Sequence, residues 1–77
     1  MFTVYIHTLT GENFNLDVHK NDTITFTKQQ IEKLTDISTE QQTLVFFGKI
    51  LENERTIDEY GIYPGSELLF WPWIKIS

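Results

Sequence analysis

Residues 41–62 read "QQTLVFFGKILENERTIDEYGI", and the reading of this stretch decides the fold. "TLVFF" has the β-branched and aromatic composition of a strand. Gly48 and Lys49 mark a turn after it, and "IL" returns as a short partner strand. In "ENERTIDEYGI", polar turn residues surround the apolar Ile57, Tyr60 and Ile62, so this segment reads as a loop partly anchored in a core. A hairpin followed by an anchored loop cannot bury itself, so the flanking sequence has to supply the other elements.

Upstream, Phe2, Val4 and Ile6 alternate with Thr3, Tyr5 and His7, the period of a half-buried strand. "TLTGE" follows, with Gly11 suited to the positive φ of a tight loop. Alternation resumes with Phe14, Leu16 and Val18 against Asn15, Asp17 and His19, which completes an antiparallel hairpin. In "FTKQQIEKL", Thr27 and Gln30 have capping-box spacing, and Phe26 and Ile31 stand where a hydrophobic staple would place them. Local chemistry therefore predicts a helix from about Lys28 to Leu34 or Thr35, with Ile31 and Leu34 facing inward. Downstream, "YPGSE" is a turn, and "LLFWPWIKI" is a last strand. There Leu68, Phe70, Pro72 and Ile74 alternate with Leu69, Trp71, Trp73 and Lys75. The order β-β-α-β-β-β, with one helix against a mixed sheet, makes residues 1–77 a single α+β roll.

Composition limits what such a domain can do. Seventy-seven residues with 40% hydrophobic content form one small core, and the lack of cysteine removes any disulfide support. The net charge of −5, with six basic residues scattered along the chain, argues against a nucleic-acid partner. The start "MFTVYIHTLTGE" has no basic or long apolar run, so neither a targeting signal nor direct membrane insertion is expected. His7 and His19 lack a ligand pattern, and Ser38, Ser66 and Ser77 lack the context of an activated nucleophile. The glycines are isolated, so no phosphate loop is read. No catalytic residue, metal ligand or cofactor is predicted.

Taken together, "TLTG" at 8–11, "DTI" at 22–24 and the segment 41–62 resemble ubiquitin. The correspondence runs without gaps over nearly the whole chain, apart from one extra residue at the start. It implies the β-grasp fold and moves the expected helix start from Lys28 back to about Ile24. It also implies a setting inside the cell, cytoplasmic or nuclear, with an organellar complex left open. The family's tail chemistry needs a terminal diglycine, because only glycine leaves the narrow approach clear. Ile76 and Ser77 stand at those positions, and Trp73 and Lys75 match the arginines before them. The chain as given is therefore expected not to be conjugated. Lys28 and Lys49 match family lysines, whereas His7, Glu12, Gln30, Leu34 and Pro64 replace others, which argues against chain building.

The resemblance further implies an apolar recognition patch at Leu9, Val45, Leu69 and Trp71. Phe47, Ile50 and Trp73 would enlarge it, giving a predicted protein-binding set of Leu9, Val45, Phe47, Ile50, Leu69, Trp71 and Trp73 on a solvent-facing sheet surface. An apolar patch of that extent is more often functional than incidental, and tryptophan is enriched at binding hot spots. The plain alternative is that the tail folds back and Trp73 covers its own sheet. Arg55 and Tyr60 match positions that brace the loop before the last strand. The expected role is an interaction module, a subunit or docking domain of a larger assembly. The alternatives are a transient adaptor for ubiquitin-receptor modules, and a precursor or truncated form of a modifier.

Overall fold

The computed structural model describes residues 1–8 and 11–72. Strands β1 (Phe2–Thr8) and β2 (Asn13–Val18) form the first hairpin, followed by helix α1 (Ile24–Thr35). Strands β3 (Gln42–Phe46), β4 (Lys49–Ile50) and β5 (Glu67–Pro72) follow, with single 3-10 turns at Thr39–Gln41 and Asp58–Tyr60. The sheet order is β2-β1-β5-β3-β4. Among the described residues, β1 and β5 run parallel and the other strand pairs are antiparallel. This is the β-grasp arrangement, a mixed sheet wrapped on one helix.

The core lies between the sheet's inner face and α1. Val4 and Ile6 of β1, Leu16 and Val18 of β2, Leu44 of β3, and Leu68 and Phe70 of β5 meet Ile24 and Ile31 of the helix there. The loop between β4 and β5 closes one end with Leu51, Ile57 and Ile62, all buried, and Tyr60 packs against the same cluster. The Tyr60 hydroxyl accepts from the Glu52 amide at 2.7 Å. Arg55 ties the loop surface, Nε to Glu52 at 2.8 Å and a terminal nitrogen to Glu59 at 3.4 Å. The hydrogen bond to Glu52 is the main reason its guanidinium is held above its ordinary pKa.

The helix corrects the local capping expectation. Its cap is Thr23, whose Oγ1 accepts from the Phe26 amide at 3.1 Å, and not Thr27. The remaining first-turn donors find acceptors far away in sequence: Ile24 N–H donates to Arg55 O at 2.9 Å and Thr25 N–H to Asn53 O at 3.2 Å. Because the 53–55 loop satisfies these orphan groups, β-branched residues can occupy the first turn despite weak propensity. Thr27 is then buried inside the helix, with its hydroxyl on Thr23 O at 3.1 Å. The staple reading fails with the cap, since Phe26 lies within the helix and is exposed. Leu34 also fails as an inward residue: it stands in the last turn, at 60% exposure, off the buried stripe of Ile24, Thr27, Lys28 and Ile31.

Lys28 is buried on this helix, and its Nζ donates to Asn53 Oδ1 at 2.7 Å. Burial pushes its ammonium below the ordinary lysine pKa. Gln42, also buried, donates from Nε2 to Lys28 O and Ile37 O, both at 2.9 Å, joining β3 to the helix and the turn after it.

Candidate protein-binding site

Alternation along β5 sends Leu68 and Phe70 into the core and leaves Leu69 and Trp71 outside, each 43% exposed. The central position of β5 sets their neighbours. Leu69 lies between His7 of β1 and Val45 of β3, and Trp71 lies opposite Thr43. Across the sheet's far edge, Val45 pairs with Ile50. Pro72 is the last described residue of β5 and stands opposite Gln42.

Phe47 and Gly48 form the two-residue connection between β3 and β4, with φ values of 49° and 77°. Both central residues thus take the positive φ of a type I′ hairpin turn. The turn lifts the Phe47 ring off the sheet edge, where it is 78% exposed, and Ile50 beside it is 66% exposed.

Of the predicted set, the structure brings Val45, Phe47, Ile50, Leu69 and Trp71 to one region of the outer face. Leu9 and Trp73 lie outside the described residues. Val45 departs from the solvent-facing expectation at only 6% exposure. Its side chain is small and sits in register between Leu69 and Ile50, so the larger neighbours shield it. It forms the floor beneath the exposed residues. Of the two family-position lysines, Lys49 is exposed on β4, while the Lys28 amine is turned inward to Asn53.

Sequence reading missed Tyr63. Its ring stands 6.4 Å from that of Phe46, edge to face, and Phe46 lies 4.5 Å from Phe47. Between the β3–β4 turn and the Tyr63–Ser66 turn these rings border a cleft of about 390 Å³, shared with His7, Val45, Leu69 and Glu67. An aromatic residue directly before "PG" was the available signal, since a turn holds such a ring off the body of the fold. Also missed was a groove of about 490 Å³ beside the helix end, lined by Phe14, Leu34, Ile37 and Phe70.

The site's electrostatics are sparse. His7 Nδ1 lies 3.0 Å from Asn13 Oδ1, and its Nε2 lies 3.4 Å from Glu67 Oε1. Among the described residues, no three His, Asp or Glu side chains cluster as a metal site, and no helix is long and apolar enough to cross a membrane.

Comparison with known proteins agrees with the architecture. A sequence profile of the ubiquitin family matches residues 4–70. The chain belongs to the ubiquitin family. Ubiquitin-like protein NEDD8 of Dictyostelium discoideum is 34% identical over 65 residues, covering 84% of each chain. Ubiquitin-like protein 1 of Schizosaccharomyces pombe is 31% identical over 65 residues, covering 84% of this chain and 83% of that protein. Ubiquitin-like protein 4A of Xenopus tropicalis is 35% identical over 63 residues, and there the match spans 82% of this chain but only 43% of the relative. Ubiquitin-family domains are in general non-enzymatic modules with protein-interaction or modifier-like roles.

Proposed function

We propose that this chain is a protein-interaction module of the ubiquitin family that works without being conjugated, as a subunit or docking domain of a larger assembly. The observation that carries the reading is the outer half-face of β5, β3 and β4, where Leu69, Trp71, Ile50 and Phe47 stand exposed around a Val45 floor. Exposed apolar side chains gathered on one sheet face are the usual mark of a protein interface. Burying them against a partner contributes about 25 cal/mol per Å² of apolar area, offset by the ordering costs of association. Trp71 serves as the anchor and Leu69 and Ile50 as its surround. Leu9 and Trp73 belong to the set expected from the family resemblance, which also puts Ile76 and Ser77 at the positions of the family's diglycine. No catalytic residue is assigned.

The test is native purification of the tagged chain with mass analysis of whatever co-elutes, repeated with Trp71→Ala. A stoichiometric complex that the variant loses is the expected result. A free monomer in the native extract, or a complex indifferent to Trp71→Ala, refutes the reading. A covalent adduct on a lysine of another protein would replace it with a modifier role. Reversible binding to an isolated helical ubiquitin-receptor domain, weakened by Val45→Ala, would replace it with the transient adaptor.

A further inference from the structure

The cleft beside the β3–β4 turn combines rings with a carboxylate. Phe46 forms its floor at 6% exposure, while Phe47 and Tyr63 flank it at 78% and 51%. Phe46 joins the two exposed rings, its centroid 4.5 Å from that of Phe47 and 6.4 Å from that of Tyr63. Aromatic faces attract cations through their quadrupole, and a nearby carboxylate adds to that attraction. Glu67 supplies the carboxylate in the same lining; its closest basic atom is His7 Nε2, at 3.4 Å. Lys49 is not part of the lining, and the chain as a whole carries −5.

The two walls are held differently, and both matter. The Tyr63 wall is fixed by its turn: Ser66 Oγ accepts from the Tyr63 amide at 2.9 Å, Ser66 N–H donates to Tyr63 O at 3.0 Å, and Gly65 N–H donates to Thr3 O at 2.8 Å. The Phe47 wall sits in the left-handed region at φ 49°, which bulky residues rarely occupy. A ring kept there against its backbone preference is an outlier from which a functional hypothesis can be drawn.

We propose that this cleft receives an organic cation, the guanidinium or ammonium head of an arginine or lysine side chain carried by the partner protein. The proposal rests on the reading of the outer half-face as a protein-binding surface, because Val45 and Leu69 belong to both. The cation lies against the Phe47 and Tyr63 rings and pairs with Glu67. The apolar stem of the same side chain covers Val45 and Leu69.

Choline chloride, titrated into nitrogen-labelled protein at constant ionic strength and followed by amide NMR, tests this directly. Its neutral counterpart is dimethylbutanol, in which carbon replaces the quaternary nitrogen. Methylguanidinium against methylurea repeats the comparison for the arginine head. Saturable shifts confined to Phe47, Gly48, Tyr63, Gly65 and Glu67 are expected, with at least one cation binding roughly three- to tenfold more tightly than its neutral counterpart. Glu67→Gln and Phe47→Ala should each weaken that cation by a similar factor, with dispersed spectra confirming the fold. Equal binding of cation and neutral counterpart, shifts elsewhere, no saturable shift, or indifference to both variants would overturn the proposal. The titration reads the cleft alone and the Trp71→Ala capture reads the whole half-face, so either can fail without the other.

Discussion

The outer face of the sheet divides into two halves that share one backbone scaffold. On the β2–β1 half, polar side chains find each other across the strands on either side of the exposed Tyr5 ring: Thr3 Oγ1 donates to Asp17 Oδ1 at 2.8 Å, and His7 lies 3.0 Å from Asn13. On the β5–β3–β4 half, Leu69, Trp71 and Ile50 stand exposed over Val45, with Phe47 beyond them. A polar half that satisfies its own groups gains little from a partner, whereas exposed apolar area gains from burial in proportion to its extent. The difference between the halves therefore locates binding more sharply than exposure alone.

The strongest way to break this comparison is Trp71→Ala. It should lower affinity for the co-purifying partner by about 2 kcal/mol, roughly thirtyfold, as truncated hot-spot anchors do. Chemical denaturation should show stability nearly unchanged, because Trp71 is outside the core.

The same contrast between partnered and unpartnered groups can be sharpened beneath the sheet, at Lys28. Its lowered pKa means that the folded chain binds fewer protons there than the unfolded chain, between that lowered value and the ordinary 10.5. The penalty of burying the charge is thus present at neutral pH, and stability linked to Lys28 rises with pH through that window. Asn53→Asp supplies a carboxylate at the existing 2.7 Å contact. It should add about 1 kcal/mol at pH 7 in urea unfolding, a gain that disappears below about pH 4 as the carboxylate protonates. An unchanged midpoint at pH 7 would mean that the amide already serves the ammonium as well as a carboxylate can.

Phe47→Asn tests whether the apolar half carries strain for the sake of its surface. It creates Asn-Gly, the dipeptide best suited to a type I′ turn, and should raise stability by about 0.5–1 kcal/mol while weakening partner binding. A variant that gains stability and binds as before would remove Phe47 from the site. Asp17→Ala, on the polar half, should have the smallest effect, within about 0.5 kcal/mol in stability. Its partner affinity should be unaltered, and a large loss of binding there would erase the distinction between the halves.

How much was legible in the sequence differs element by element. Period-two alternation placed β1 and β2 and their faces, because a strand's side chains alternate whatever it pairs with. Leu68 and Phe70 against Leu69 and Trp71 were readable for the same reason. Tyr63 escaped because the sequence does not say that its turn lies across from Phe47. The depth of Val45 escaped because it depends on Leu69 and Ile50, contributed by two other strands.

By itself, the sequence determined the strand pattern, the turns at Gly11 and Gly48, and the apolar character of β5, all properties of local stereochemistry and periodicity. The resemblance carried by residues 41–62 supplied the family and the earlier helix start. Tertiary structure alone decided why α1 can begin at Ile24, since the acceptors for its first amides are Arg55 O and Asn53 O. It also decided which half of the sheet face is left unsatisfied. Both outcomes depend on groups brought together from distant parts of the chain, and neither periodicity nor propensity encodes such meetings.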